Sequence, residues 1–155
     1  MRKLAIFALL AVSCTTSRAT APEVSSPLPQ YSFSALKSTP VTVRVLDHRA
    51  DPQESSQWTS RVKTDVERSL RAAGVTVGDG EVLEIRIHNL RADFELGNWN
   101  GCAKLNAAIG HDSATAERCV KKGNLWGYKT ADNVMNMAYR DALAELLSRL
   151  DARLR

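Results

Sequence analysis

The sequence predicts an α+β fold, a two-layer sandwich in which a mainly antiparallel sheet carries two amphipathic helices on one face. Two segments, at residues 58–73 and 134–150, have apolar residues spaced three or four apart, as amphipathic helices do. Several shorter segments alternate apolar and polar residues with a period of two, which is typical of half-buried strands. The 155 residues, 44% of them hydrophobic, suit one domain with a tail.

The first strand and helix are predicted from local patterns. Residues 41–45 (VTVRV) alternate apolar and polar side chains. The segment 51–54 (DPQE) is typical of a helix start, with Ser55 or Ser56 as an alternative cap. Gly74 suits the end of this helix. The predicted buried stripe comprises Trp58, Val62, Val66, Leu70 and Ala73.

Four more strands are predicted between the helices, at residues 75–77, 83–96, 103–109 and 115–120. Within 83–96 the apolar positions change from odd to even numbers near Asn89. One extra residue swaps the two faces of a strand, so this change predicts a β-bulge. A turn is predicted at 97–101, and Thr130 is predicted to cap the last helix. The predicted order is therefore β-α-β-β-β-β-α.

Residues 1–13 have the pattern of a signal peptide. Arg2 and Lys3 precede an apolar run of nine residues, Leu4 to Val12. Such a run lies within the roughly 7–15 residues of a secretory apolar region and is too short to span a bilayer. The sequence therefore predicts export, although a buried N-terminal strand or helix is an open alternative.

The segment Leu10-Ala11-Val12-Ser13-Cys14 resembles the lipobox of bacterial lipoproteins, with Ala11 standing where leucine is usual. The resemblance implies cleavage before Cys14 and acylation of that cysteine, including palmitate, which anchors the chain in a membrane. Two or more acyl chains hold a protein stably on a bilayer. Thr15, which is not aspartate, implies the periplasmic face of the outer membrane. Cleavage after Ala19 would instead give a secreted or soluble periplasmic protein.

Residues 14–40 are predicted to form a flexible tether, and residues 41–155 the folded domain. The tether is rich in Ser, Thr, Ala and Pro and has too little apolar surface to offset the entropy of ordering it. Tyr31, Phe33 and Leu36 are candidates to dock the end of the tether on the domain. An irregular first strand in this region is the alternative.

Cys102 and Cys119 form an even pair in a chain predicted to be exported, which favours a disulfide between them. Two buried free thiols are the alternative. A zinc site with His111 lacks the paired spacing that such sites show, so no metal site and no cofactor are predicted.

The net charge does not indicate a nucleic-acid partner. Loss of Arg2 and Lys3 with the signal peptide lowers the formal net charge from +4 to +2. No recognisable DNA- or RNA-binding motif accompanies this small excess of positive charge.

At the level of pattern, the chain resembles the small envelope lipoproteins of the YajG-like type. The resemblance lies in Cys14 after the signal, the polar tether, the strand and its flank at 41–49 (VTVRVLDHR), the helix ended by Gly74, and the terminal helix at 138–150 (AYRDALAELLSRL). The resemblance implies a cell-envelope compartment and a fold, but no chemistry.

The function predicted from the sequence is a non-enzymatic accessory or binding module of the envelope. None of the common catalytic motifs is present. Trp99, flanked by Asn98 and Asn100 on the predicted turn, is the candidate contact for an envelope protein or a glycan. The alternative is a small exported hydrolase that uses Asp47, His48 and a distant serine.

Overall fold

The computed structural model describes residues 28–50, 54–123 and 130–155, and it confirms the predicted α+β fold class. Its strands and helices are, in chain order, β1 (Val41–Asp47), α1 (Ser55–Ala72), β2 (Glu81–Glu95), β3 (Asn98–Ile109), β4 (Asp112–Gly123) and α2 (Ala131–Arg153). The predicted signal peptide and Cys14 lie outside the described residues. None of the described helices has the length and apolar character needed to cross a membrane.

The four strands form one mixed sheet in the order β1-β2-β3-β4. β1 and β2 run parallel and are connected through α1, whereas β2, β3 and β4 form an antiparallel meander. The short strand predicted at 75–77 is reduced to a single bridge, in which Val77 pairs with Val41. The turn of the chain after α1 leaves only this one residue in position to pair with the edge of β1.

Both helices cover the same face of the sheet. Alternate strand residues on this helix-facing side are buried, among them Val43, Ile85 and Leu105, and they share one core with α1 and α2. The opposite side, called here the open face, carries mainly polar and charged residues, including Thr42, Arg44, Glu84, Arg86, Lys104, Asn106 and Glu117. The molecule is therefore a two-layer sandwich, as predicted.

The helix starts differ in how they are capped. Thr130 accepts a hydrogen bond from the backbone N–H of Asn133, which confirms the predicted cap of α2. The predicted cap of α1 at Asp51 lies outside the described residues. Ser55 is the first residue of α1 rather than its cap, and the preceding Glu54 has a φ of 57° with no capping side-chain hydrogen bond.

A buried polar cluster joins the two helices. The Tyr139 hydroxyl donates to Asp65 Oδ2 at 2.9 Å, and the rings of Tyr139 and Trp58 meet edge to face at 5.4 Å. The Arg61 guanidinium lies 5.3 Å from the centroid of each ring. Burial, together with the carboxylate of Asp65, raises the pKa of Tyr139 well above its ordinary value. The hydroxyl therefore stays a neutral donor and fixes how α2 sits on α1.

The predicted bulge is present in β2. Ile87 pairs with Leu105, but the next paired residue of β2 is Asn89, opposite Lys104. His88 is thus the extra residue. Because of it, the buried positions of β2 change from odd to even numbers, and Leu90 packs in the core on the same side as Ile87.

The last part of the predicted tether packs on the domain. Phe33 and Leu36 are buried, and residues Ser34–Leu36 form a short 3-10 helix. The backbone N–H of Phe33 donates to Asp151 Oδ1 on α2 at 2.7 Å, and the Tyr31 hydroxyl donates to the carbonyl of Ala144 at 3.1 Å. The packed region therefore begins before residue 41, and the docking expected of Tyr31, Phe33 and Leu36 is observed.

Cys102 and Cys119 lie directly opposite each other on β3 and β4 and form a disulfide on the open face. Their Cα atoms are 4.1 Å apart, the close spacing of an antiparallel pair that shares no backbone hydrogen bonds. Thr115, four residues before Cys119, belongs to a pair of the same kind, whose backbone groups point away from β3. Its carbonyl accepts a hydrogen bond from Arg149 and not from β3, in agreement with this register. The disulfide thus links two strands that the sheet already pairs.

We expect Asp151→Asn to weaken the docking of the N-terminal segment. Burial raises the pKa of Asp151, but hydrogen bonds from Phe33, Arg155 and Ser32 outweigh it, so this pKa is lowered below its ordinary 3.8. The ionised carboxylate therefore stabilises the fold above about pH 4, and the stabilisation disappears as the pH falls through the lowered pKa. Urea unfolding should show a loss of about 1.5–3 kcal/mol at pH 7.

The matched control for this variant is Asp141→Asn, which removes an exposed carboxylate from the same helix. The difference in stability between wild type and Asp151→Asn should shrink at pH 3, because protonation of Asp151 in wild type makes its side chain neutral, as asparagine is at every pH. Equal losses in the two variants, or a loss that does not depend on pH, would contradict the assigned role of Asp151.

The double variant Cys102→Ser/Cys119→Ser should remain folded but be less stable by up to about 3 kcal/mol, the loop-entropy value for a closed loop of this length. Urea unfolding measures the loss. Non-reducing peptide mass spectrometry of protein extracted from its native envelope should recover the two cysteines in one linked species. Two freely alkylatable thiols in that material would contradict the bridge.

Candidate functional site

The β2–β3 hairpin ends in a two-residue turn formed by Leu96 and Gly97, with Glu95 paired to Asn98. Both turn residues have positive φ, 47° for Leu96 and 76° for Gly97, as a type I′ hairpin turn requires. The Asn98 side-chain amide donates to the Leu96 carbonyl at 3.0 Å. The turn is therefore shorter and earlier than the predicted 97–101, and Asn98–Gly101 belong to β3.

Three apolar residues cluster at the end of this hairpin: Phe94, Leu96 and Trp99, called here the tip cluster. Leu96 is 92% exposed and Phe94 is 54% exposed. Phe94 pairs with Trp99 across the two strands, with ring centroids 5.0 Å apart. Exposed apolar residues grouped in this way are typical of a binding surface.

The start of α2 packs on β3 just before the tip cluster. A Cβ atom at Gly101 would lie 2.6 Å from the backbone of Val134, so α2 crosses the sheet in direct contact with Gly101. Residues 94–99 lie beyond this contact, toward the turn. The indole Nε1 of Trp99 is buried without a hydrogen-bond partner among the described residues. The exposed apolar surface of the tip cluster therefore comes from Phe94 and Leu96.

The predicted set of Trp99, Asn98 and Asn100 does not converge on one site. Successive residues of a strand point to opposite faces, so Trp99 lies on the helix-facing side and the two asparagines on the open face. Asn98 already holds the turn. Sequence reasoning missed Phe94 and Leu96. The parity change near Asn89 contained the signal for Phe94, because it moves even-numbered residues to the side that Trp99 occupies.

Asp47 and His48, the residues of the alternative hydrolase, point to different partners. The Asp47 carboxylate is only 4% exposed and binds Arg49 through two hydrogen bonds of 2.9 and 2.7 Å. Burial raises the pKa of Asp47, but the hydrogen bonds from Arg49 and Ser55 lower it by more. The net shift of this pKa is therefore downward. His48 instead contacts His88, with ring centroids 5.7 Å apart. The structure therefore does not assemble a catalytic pair from Asp47 and His48.

A cavity of about 340 Å³ lies between the edge of β1 and α1. Its lining includes Val43 and Val45 from the strand and Thr59, Ser60 and Lys63 from the helix. No carboxylate or imidazole belongs to this lining, so the described residues provide no general acid–base pair there.

The solved structures to which this chain is similar include two bacterial lipoproteins. Lipoprotein GNA1162 from Neisseria meningitidis is 10% identical, with a TM-score of 0.42 over 70% of this chain and 96% of that one. A minor lipoprotein from Acinetobacter baumannii is 12% identical, with a TM-score of 0.39 over 74% of this chain and 90% of that one. No family model and no curated protein matches the chain, and the YajG-like resemblance therefore stays a prediction from sequence pattern.

Proposed function

We propose that the protein is a non-enzymatic binding module of the bacterial cell envelope, anchored through acylated Cys14 at the periplasmic face of the outer membrane. In this proposal the tip cluster binds another envelope protein. The main support for this proposal is that the apolar side chain of Leu96 is 92% exposed on a residue with positive φ.

Neither packing nor turn chemistry accounts for a leucine at position 96. Type I′ turns favour Asn, Asp or Gly at this place because other side chains are strained at positive φ. A side chain that is 92% exposed contributes little to the core. Strained residues of this kind cluster at binding and catalytic sites, where a partner repays their cost. The apolar side chain of Leu96 is therefore best explained by contact with a partner.

The arrangement of the tip favours a protein partner over a glycan. A sugar site would place amide hydrogen-bonding groups beside the aromatic ring, yet Asn98 and Asn100 point away from Trp99. Phe94 and Trp99 instead pack against each other, and Leu96 is exposed in the turn that joins their strands. Aromatic residues next to aliphatic ones dominate the binding energy of many protein interfaces.

The proposed anchor leaves the domain free to reach a partner away from the membrane. Thirteen residues, 15–27, separate Cys14 from Leu28, the first described residue. At about 3.3–3.6 Å per residue, an extended chain of that length spans up to roughly 50 Å. The Ser-, Thr- and Pro-rich composition of the segment suits a linker of this kind.

The anchor is tested by Cys14→Ser. The variant cannot be acylated at that position, so it should move from the membrane fraction to the soluble fraction in cell fractionation. Ser17, three residues further along, offers a matched control, since Ser17→Ala should leave the protein in the membrane fraction. Intact-mass analysis should find added acyl mass in wild type. A Cys14→Ser protein that stays with the membranes would refute lipid anchoring.

The tip cluster is tested by a photo-crosslinking amino acid placed at Leu96 in living cells. We expect a discrete crosslinked product of higher mass, which disappears when Phe94→Ser is added. The same crosslinker at Val82, an exposed apolar residue of β2 outside the tip, is the matched control and should give no such product.

A third variant separates binding from folding. Leu96→Asn places a residue that tolerates positive φ in the turn, so its stability should stay within about 1 kcal/mol of wild type or rise. Its binding to the crosslinked partner should nevertheless fall. If the Leu96 crosslinker gives no product, or gives the same product as Val82, the tip cluster is not the binding surface.

A further inference from the structure

Two histidines lie side by side on the open face, away from the tip cluster. His48 directly follows β1, and its backbone N–H donates to the carbonyl of Ile87 at 2.8 Å. His88, the extra residue of the bulge, comes next on β2. Both side chains are exposed, their ring centroids are 5.7 Å apart, and their planes meet at 74°. The backbone thus fixes two imidazoles close to each other.

We propose that His48 and His88 together bind a divalent late transition-metal ion, with Cu²⁺ as the preferred ion. At a metal–nitrogen distance of about 2.0–2.1 Å, each ring centroid lies roughly 3.2 Å from the ion, so two coordinated rings lie about 4.5 Å apart at a ligand angle of 90° and about 6.4 Å apart at 180°. The observed 5.7 Å lies between these limits. Imidazole suits zinc, copper and nickel, and among the divalent ions copper binds nitrogen ligands most tightly.

The surroundings of His88 favour its neutral form, which is the form that binds metals. Burial lowers the pKa of His88, and the neighbouring His48, Lys104 and Arg86 lower it further.

The nearby cations are themselves paired with carboxylates, which limits their repulsion of a metal ion. Lys104 lies 3.3 Å from Glu117, and Arg86 lies 2.5 Å from Glu84. No group of three or more potential ligand side chains occurs among the residues that the structure describes. An ion held by two histidines keeps other coordination positions open for water or for a donor atom of another molecule.

The bulge is what makes the pair a chelate. Bulges commonly redirect a side chain next to a functional site, and here the extra residue is itself the second ligand. Once one imidazole holds the ion, the other binds within the same molecule. Such linkage raises affinity by about 10²–10⁴ over a single contact. A lone surface histidine lacks this gain.

The test uses full-length protein purified in detergent, stripped of metal and titrated with Cu²⁺ against a coloured competing chelator. We expect one ion per chain, and at least a tenfold weaker affinity in each of His48→Asn and His88→Asn. His111, exposed in the two-residue turn between β3 and β4, is the matched control. His111→Asn should stay within about twofold of wild type.

A second measurement on the wild-type protein does not depend on any variant folding. Diethyl pyrocarbonate modifies exposed histidines, and Cu²⁺ should protect His48 and His88 but not His111. Electron paramagnetic resonance of the bound ion should show two imidazole nitrogens. Wild-type affinity equal to that of the double variant His48→Asn/His88→Asn, or protection of all three histidines alike, would overturn the proposal.

Discussion

The extra residue in β2 is the constraint on which the rest of the structure depends. Only one face of the sheet is covered by helices, so a long strand can bury its apolar residues only if they all point to that face. β2 has 15 residues, and its buried positions are odd from Leu83 to Ile87 and even at Leu90. The bulge at His88 turns the buried residues of both halves of β2 toward the helices, so both halves contribute to a single core.

Two surface features follow from the same residue. Because even-numbered residues face the helices beyond the bulge, Phe94 reaches the side of the hairpin on which Trp99 lies, and the two rings pack at 5.0 Å. At the bulge itself, His88 stays on the open face next to His48. The tip cluster and the histidine pair lie on opposite faces of the sheet, so each can be altered without disturbing the other.

The sequence was most informative where a pattern extended over many residues. The apolar stripe of α1, the cap at Thr130 and the bulge near Asn89 could all be predicted, because each depends on neighbours within one segment. The strand predicted at 75–77 could not be predicted reliably from its pattern. Three residues after a helix give too little alternation, and only Val77 pairs.

The parts that the sequence did not reveal depend on local exceptions or on distant contacts. Asparagine and glycine at 98–101 are typical turn residues, whereas the actual turn uses Leu96, which turn preferences disfavour. The docking of Phe33 depends on a carboxylate 118 residues away, at Asp151. No short pattern contains that information, although the apolar residues at 31, 33 and 36 indicated that the segment could pack.

Both edges of the sheet are partly covered by the chain itself. An unpaired edge strand invites non-specific pairing with other chains, a hazard for proteins concentrated on a membrane, as proposed here. On β4 the side chains of Arg149 and Arg153 donate to the outward carbonyls of Thr115 and Ser113.

At the other edge, the outward backbone groups of Val41 are already bonded, because its N–H donates to the carbonyl of Thr76 and its carbonyl accepts from the N–H of Gly78. Part of each edge is thus already occupied by the chain itself. Since backbone pairing is restricted at both sides of the sheet, side-chain contacts at the end of the β2–β3 hairpin offer the more selective route to a partner.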